Sequence, residues 1–208
     1  MTQFTFDLLI RSIKLSNHIN SSLQRGTELG KSSEVIYAFI DSQNLNLTVK
    51  RDIYNKKTGI LLYKGWKLDF KKFYVYLQDK YNVSKALLFI GKVNGNEILY
   101  KSLRNYGYKL IFKPTMEYID DDGVPHTKGN VDAELILHAM IELPNYDKAV
   151  IVAGDGDYHC LIEHLASIGK LNHLLIPNKV RFSSLLTDFI GYTNYVSELK
   201  TKLEYKDS

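Results

Sequence analysis

Two aspartates one residue apart, Asp155 and Asp157, close the run Ala149-Val150-Ile151-Val152-Ala153-Gly154-Asp155-Gly156-Asp157-Tyr158, and a third, Asp41, follows Val35-Ile36-Tyr37-Ala38-Phe39-Ile40. A fourth, Asp132, opens Asp132-Ala133-Glu134-Leu135-Ile136. Carboxylates gathered in one place repel each other unless protons or a cation compensate, and their hard oxygens suit magnesium or manganese. The chemistry open to such a cluster is that of a divalent metal site. Each acid also has a plainer reading. An Asp between a strand and a helix caps the helix by accepting from an orphan backbone N–H, as Asp157 can do, and Asp132 can simply face a helix dipole.

The two apolar runs have no polar alternation, which is the pattern of strands covered on both faces of a parallel sheet. Ligands bind beyond the carboxyl ends of such strands. If the two strands are parallel neighbours, Asp41 lies near Asp155 and Asp157 despite the separation in sequence. Gly154 and Gly156 read as residues that let the backbone turn sharply at the second tip. Along the rest of the chain, periodicity predicts helices near 69–81 and over 97–105, and strands over 86–90 and 109–112. A helix from Asp132 carries Leu135, Ile136, Ala139 and Met140, and one from 158 to 168 carries Leu161, Ile162, Leu165 and Ile168, stopped by Gly169. A strand over 172–176, a short helix over 183–190 and a last strand or edge segment over 192–196 complete an α/β order with a mainly parallel sheet. Residues 48–65 form either an irregular loop or a small hairpin around 57–59, and 116–129 a polar loop in which Asp120, Asp121 and Asp122 are solvated. Residues 4–23 form a leading helix.

The chain has 208 residues, 45% hydrophobic and 24% charged, enough for one well-buried domain. No apolar run approaches membrane-spanning length, and Asp7 and Arg11 interrupt the apolar N-terminus, so a cytoplasmic protein is expected. Cys160, the only cysteine, excludes an intramolecular disulfide and a cysteine zinc cluster, and reads as a buried small residue. The net charge of +4 permits a polyanionic partner. Lys50, Arg51, Lys56, Lys57, Lys64, Lys67, Lys71 and Lys72 interleave with Tyr54, Tyr63, Trp66, Phe70, Phe73 and Tyr74. That mixture suits phosphates and stacked bases, although Phe70, Phe73, Tyr74, Leu77 and Tyr81 recur at helical spacing and so belong to a core-facing stripe. No Walker lysine loop, nucleophile-elbow serine or paired-histidine zinc motif is present, and His126 and His159 have no assigned part.

Three segments, Phe39-Ile40-Asp41-Ser42-Gln43-Asn44-Leu45, Lys128-Gly129-Asn130-Val131-Asp132 and Tyr146 to Tyr158, resemble in order and spacing the motifs of the NYN domain, LabA-like branch, within the PIN-like nuclease superfamily. The likeness runs from about 35 to 196. It implies a three-layer PIN-like, Rossmann-like α/β fold with a central mainly parallel sheet flanked by helices, spanning 34–200. An N-terminal helical extension over 1–33 and a polar tail over 201–208 would flank it. It further implies a ribonuclease using Mg2+ or Mn2+, with Asp41, Asp132, Asp155 and Asp157 as metal-holding catalytic acids and Asn44 and Lys128 on the RNA. One or two such ions can activate water, neutralise phosphoryl charge and stabilise a leaving oxygen. The expected partner is RNA, with no membrane, and homo-oligomerisation would use the leading helix or a sheet edge. The rival readings are a non-catalytic RNA-binding adaptor with the same shell and a haloacid-dehalogenase-like phosphatase. The latter lacks its Asp-x-Asp pair, because Asp41 is followed by Ser42-Gln43.

Overall fold

The computed structural model describes residues 34–206 except 115, 120–124, 129 and 130. These belong to one compact unit that begins at Glu34. The predicted leading helix and the Asp120 to Asp122 triplet lie outside the described residues. A six-stranded sheet carries the fold, with strands β1 (Ile36–Asp41), β4 (Val83–Lys92), β5 (Lys109–Pro114), β8 (Lys148–Val152), β9 (Leu171–Ile176) and β10 (Thr193–Tyr195). Their order is β10-β9-β8-β1-β4-β5, and every pairing is parallel. The chain winds outward from β1 through β4 to β5, then returns to place β8 on the other side of β1. The carboxyl ends of β1 and β8 therefore flank the point where the winding reverses.

Side chains alternate between two cores, one on each face of the sheet. Ile36, Ala38 and Ile40 of β1, with Val150 and Val152 of β8, pack with Leu45 and Val49 of helix α1 (Ser42–Lys50) and with Phe73, Leu77 and Tyr81 of α2 (Phe70–Tyr81). Phe39, Ala149, Ile151 and Ala153 point the other way. They meet Leu135 and Ala139 of α4 (Asp132–Ile141) and Leu161, Ile162 and Leu165 of α5 (His159–Ser167). Leu103 of α3 (Glu97–Asn105) joins the first core. This is the expected three-layer α/β architecture, and the two-sided burial is why the strands read as unbroken apolar runs.

Several local expectations change. Residues 48–65 hold a real hairpin, β2 (Ile53–Tyr54) antiparallel to β3 (Leu61–Tyr63). The predicted polar loop over 116–129 contains a second one, β6 (Met116–Ile119) paired with β7 (Pro125–Lys128). The predicted helix over 183–190 is a 3-10 segment, Ser184–Tyr192, kinked at Phe189. The segment after it is a true edge strand, β10. Cys160 is exposed rather than buried, because α5 turns Leu161, Ile162 and Leu165 inward and leaves Cys160 with Glu163 and His164 outside. Ile168 is likewise exposed. Packing also continues past residue 200: α6 (Lys200–Leu203) buries Leu203, and Glu204 bridges to Leu68.

Candidate active site

Asp41 is the last residue of β1 and at the same time the cap of α1. Its Oδ1 accepts from the Asn44 N–H at 2.9 Å, so the plain capping reading is realised with one oxygen. The other oxygen, Oδ2, accepts from the Tyr158 hydroxyl at 2.9 Å, and only 5% of the residue is exposed. Burial is the largest influence on this carboxyl and raises its pKa above the ordinary range. The bonds from Asn44 and Tyr158 offset part of that, and the nearby Asp132 charge adds to it.

At the second tip the capping residue is Asp155, not Asp157. Asp155 accepts from the Asp157 N–H at 3.3 Å and opens the 3-10 turn Gly156–Tyr158 that leads into α5. Both side chains stay exposed. Asp157 holds its proton more tightly than an ordinary Asp, chiefly because Asp155 sits beside it, with Asp132 adding to the effect. The glycines here are not required for an unusual turn, since neither Gly154 nor Gly156 has a positive φ. Gly156 is needed for space: a Cβ there would lie 2.5 Å from Ser183 Oγ.

Tyr158 ties the two tips to α4. It is fully buried, and its hydroxyl lies 2.9 Å from Asp41 and 2.5 Å from Asp132 Oδ1. One phenolic proton faces two carboxylates, so the three groups share fewer protons than acceptors, and the phenol is held far more strongly protonated than usual by burial and both acids. In the sequence Tyr158 reads only as the start of a helix. A tyrosine one residue past a strand-tip acid pair gives no periodic signal, and its bridging role depends on β1 and α4 arriving from elsewhere in the chain.

Asp41, Asn44, Asp132, Asp155 and Asp157 line one cavity of about 550 Å3 together with Arg51 and Arg181. Asn44 uses its amide oxygen to accept from the Gly154 N–H at 2.9 Å, stitching α1 to the loop after β8 and leaving its Nδ2 as the group able to meet a ligand. Lys128 falls on β7 opposite Met116. Among the described residues, no Lys or Arg is within ion-pair distance of Asp41, Asp155 or Asp157. The donor set is all carboxylate oxygen, which fits a hard divalent cation. Among the described residues, no group of three or more His, Cys, Asp or Glu side chains is placed to hold a metal ion. Nor does any helix among them have the length and apolar character to cross a membrane.

An open parallel sheet with carboxylates at its switch point defines an α/β protein built around an acidic crevice. The NYN domain model matches residues 36–192, and the chain belongs to this family, part of the PIN-like nuclease superfamily. The crystal structure of a protein of unknown function from Vibrio parahaemolyticus is similar in fold, with a TM-score of 0.60 and 21% sequence identity, over 80% of this chain and 95% of that one. No curated protein matches.

Proposed function

We propose that this chain is a LabA-like, divalent-cation-dependent ribonuclease that hydrolyses RNA phosphodiester bonds at the acidic crevice. The observation that carries the reading is the convergence of four aspartates from three separate parts of the chain on one cavity, three of them with no Lys or Arg within ion-pair distance among the described residues. Asp41, Asp132, Asp155 and Asp157 would hold the ion. When bound, Mg2+ or Mn2+ acidifies a water and neutralises charge on the phosphoryl oxygens.

The protein's own residues then divide the remaining work. Tyr158 and the Asn44 N–H fix the Asp41 carboxylate, and Tyr158 fixes Asp132. Asp155 and Asp157 face solvent, where substrate and water enter. Arg51 and Arg181 supply positive charge beside the acids for the substrate phosphate, with the Asn44 amide as a neutral donor. Lys128 is assigned to the phosphate side as well. The balanced step adds water across one P–O bond, leaving a phosphomonoester on one fragment and a hydroxyl on the other.

Mixed RNA incubated with the purified protein and Mn2+, or with a chelator, tests this. The expected result is cleavage with the ion and none with the chelator. RNA that is bound but never cut would overturn the hydrolase reading in favour of an adaptor.

A further inference from the structure

The cavity of the four acids does not end at Arg181. That residue also lines a second cavity, of about 600 Å3, formed with Tyr54, Lys56, Lys57 and Leu62 of the β2–β3 hairpin. We infer that this hairpin is a track for single-stranded RNA, holding the substrate strand as it leaves the acidic crevice. The inference rests on the nuclease reading of that crevice and adds to it the conformation and path of the substrate.

Charge argues for it first. Lys56, Lys57, Arg51 and Arg181 are all exposed, and among the described residues none has a carboxylate within ion-pair distance. The one acid on this stretch, Asp52, is already committed. It accepts from Lys64 Nζ at 2.8 Å and from the Gly65 N–H at 2.9 Å, and these bonds hold its carboxyl below the usual range. A run of unpaired cations leading away from a cluster of anions is what a phosphate backbone needs on either side of its reacting bond.

Stacking argues for a single strand. Tyr54 is 53% exposed at the cavity wall beside Leu62, whereas Phe73, Trp66 and Tyr81 of the same basic segment are buried in the first core. Tyr54 is thus the exposed ring of the segment, Tyr63, Phe70 and Tyr74 being half-buried, and only an unpaired base has a free face to stack on it. The hairpin is also held in place relative to the acids. The Tyr63 hydroxyl donates to Val49 O at 2.9 Å and Trp66 N–H to the same carbonyl at 3.1 Å. A Cβ on Gly65 would lie 2.0 Å from Lys50 O, so the segment just after β3 packs directly against the end of α1, whose other end carries Asp41 and Asn44. At ~1.5 Å per residue, Arg51 stands roughly 15 Å along that helix from Asp41. A stacked strand at ~3.4 Å per nucleotide covers this in about four or five nucleotides.

Fluorescence anisotropy of the full chain in chelator, with labelled oligouridylates of two to twelve nucleotides and a duplex of equal length, tests the track. Wild-type affinity should climb between about three and eight nucleotides and favour the single strand. Tyr54→Ala should weaken binding at least roughly fivefold, while Tyr54→Phe keeps it. Lys56→Gln with Lys57→Gln should flatten the slope of log affinity against log salt by about 1.4, some 0.7 per phosphate contact. Variants that bind like the wild type, or a duplex bound as tightly as the single strand, would overturn the inference. Cleavage of the same oligonucleotides with Mn2+ separates the two readings. Hairpin-dependent binding without cleavage leaves the track and removes the nuclease; cleavage with hairpin-independent binding does the reverse; no binding at all removes both.

Discussion

The tips of β1 and β8 carry the same sequence grammar, an apolar run ended by aspartate, and the fold uses them in opposite ways. Asp41 is buried, caps a helix with one oxygen and takes the Tyr158 hydroxyl on the other. Asp155 and Asp157 stand in solvent, joined to each other by a local turn. Both Asp41 and Asp157 bind protons more tightly than usual, Asp41 mainly through burial and Asp157 mainly through its acidic neighbour. The contrast teaches that one tip is an anchored, buried group and the other is open to solvent. Substitutions at the first should therefore register in stability, and at the second in chemistry.

The largest expected effect lies at the exposed tip. Asp155→Asn should slow RNA cleavage by roughly 1000-fold or more, a loss of about 4 kcal/mol of transition-state stabilisation, while the circular dichroism spectrum stays that of the folded protein. Cleavage at the wild-type rate would show that the exposed acids are not the reacting ones.

A smaller effect is expected where the two tips are tied together. Tyr158→Phe removes the hydroxyl shared by Asp41 and Asp132, and urea unfolding should report a loss of about 1–3 kcal/mol. An unchanged midpoint would mean the bridge contributes nothing to holding the buried tip.

The smallest effect has the opposite sign. The folded Asp157 carboxyl binds its proton more tightly than the unfolded one, whose ordinary value is 3.8. Its contribution to stability is thus fully present below that value and is lost as pH rises through the raised one. Metal-free Asp157→Asn should then melt above the wild type at pH 7, and the gap should close below about pH 3.8. A variant that melts lower at pH 7 would contradict the charge repulsion assigned to this tip.

Much of this arrangement was legible before any coordinates. Unbroken apolar runs marked β1 and β8 because both their faces are covered, and the single assumption that they are parallel neighbours brings Asp41 beside the loop of Asp155. What stayed hidden depends on contacts between segments distant in sequence. Tyr158 acquires its meaning only from Asp41 and Asp132. Gly156 is constrained by Ser183 rather than by its own φ. The β6–β7 hairpin is written in mixed polar residues, Met116-Glu117-Tyr118-Ile119 and Pro125-His126-Thr127-Lys128, with neither a buried run nor a short turn signal to announce it. Cys160 was misplaced because a small apolar residue beside Leu161 says little about which side of the helix it takes.

Whether the acidic crevice binds a divalent ion is answered most directly by titrating Mn2+ into the protein calorimetrically, with Asp155→Asn alongside. Saturable binding in the wild type, greatly weakened in the variant, is the result expected of Asp41, Asp155 and Asp157, which have no cationic partner among the described residues. Equal binding by both proteins, or no binding by either, would contradict it.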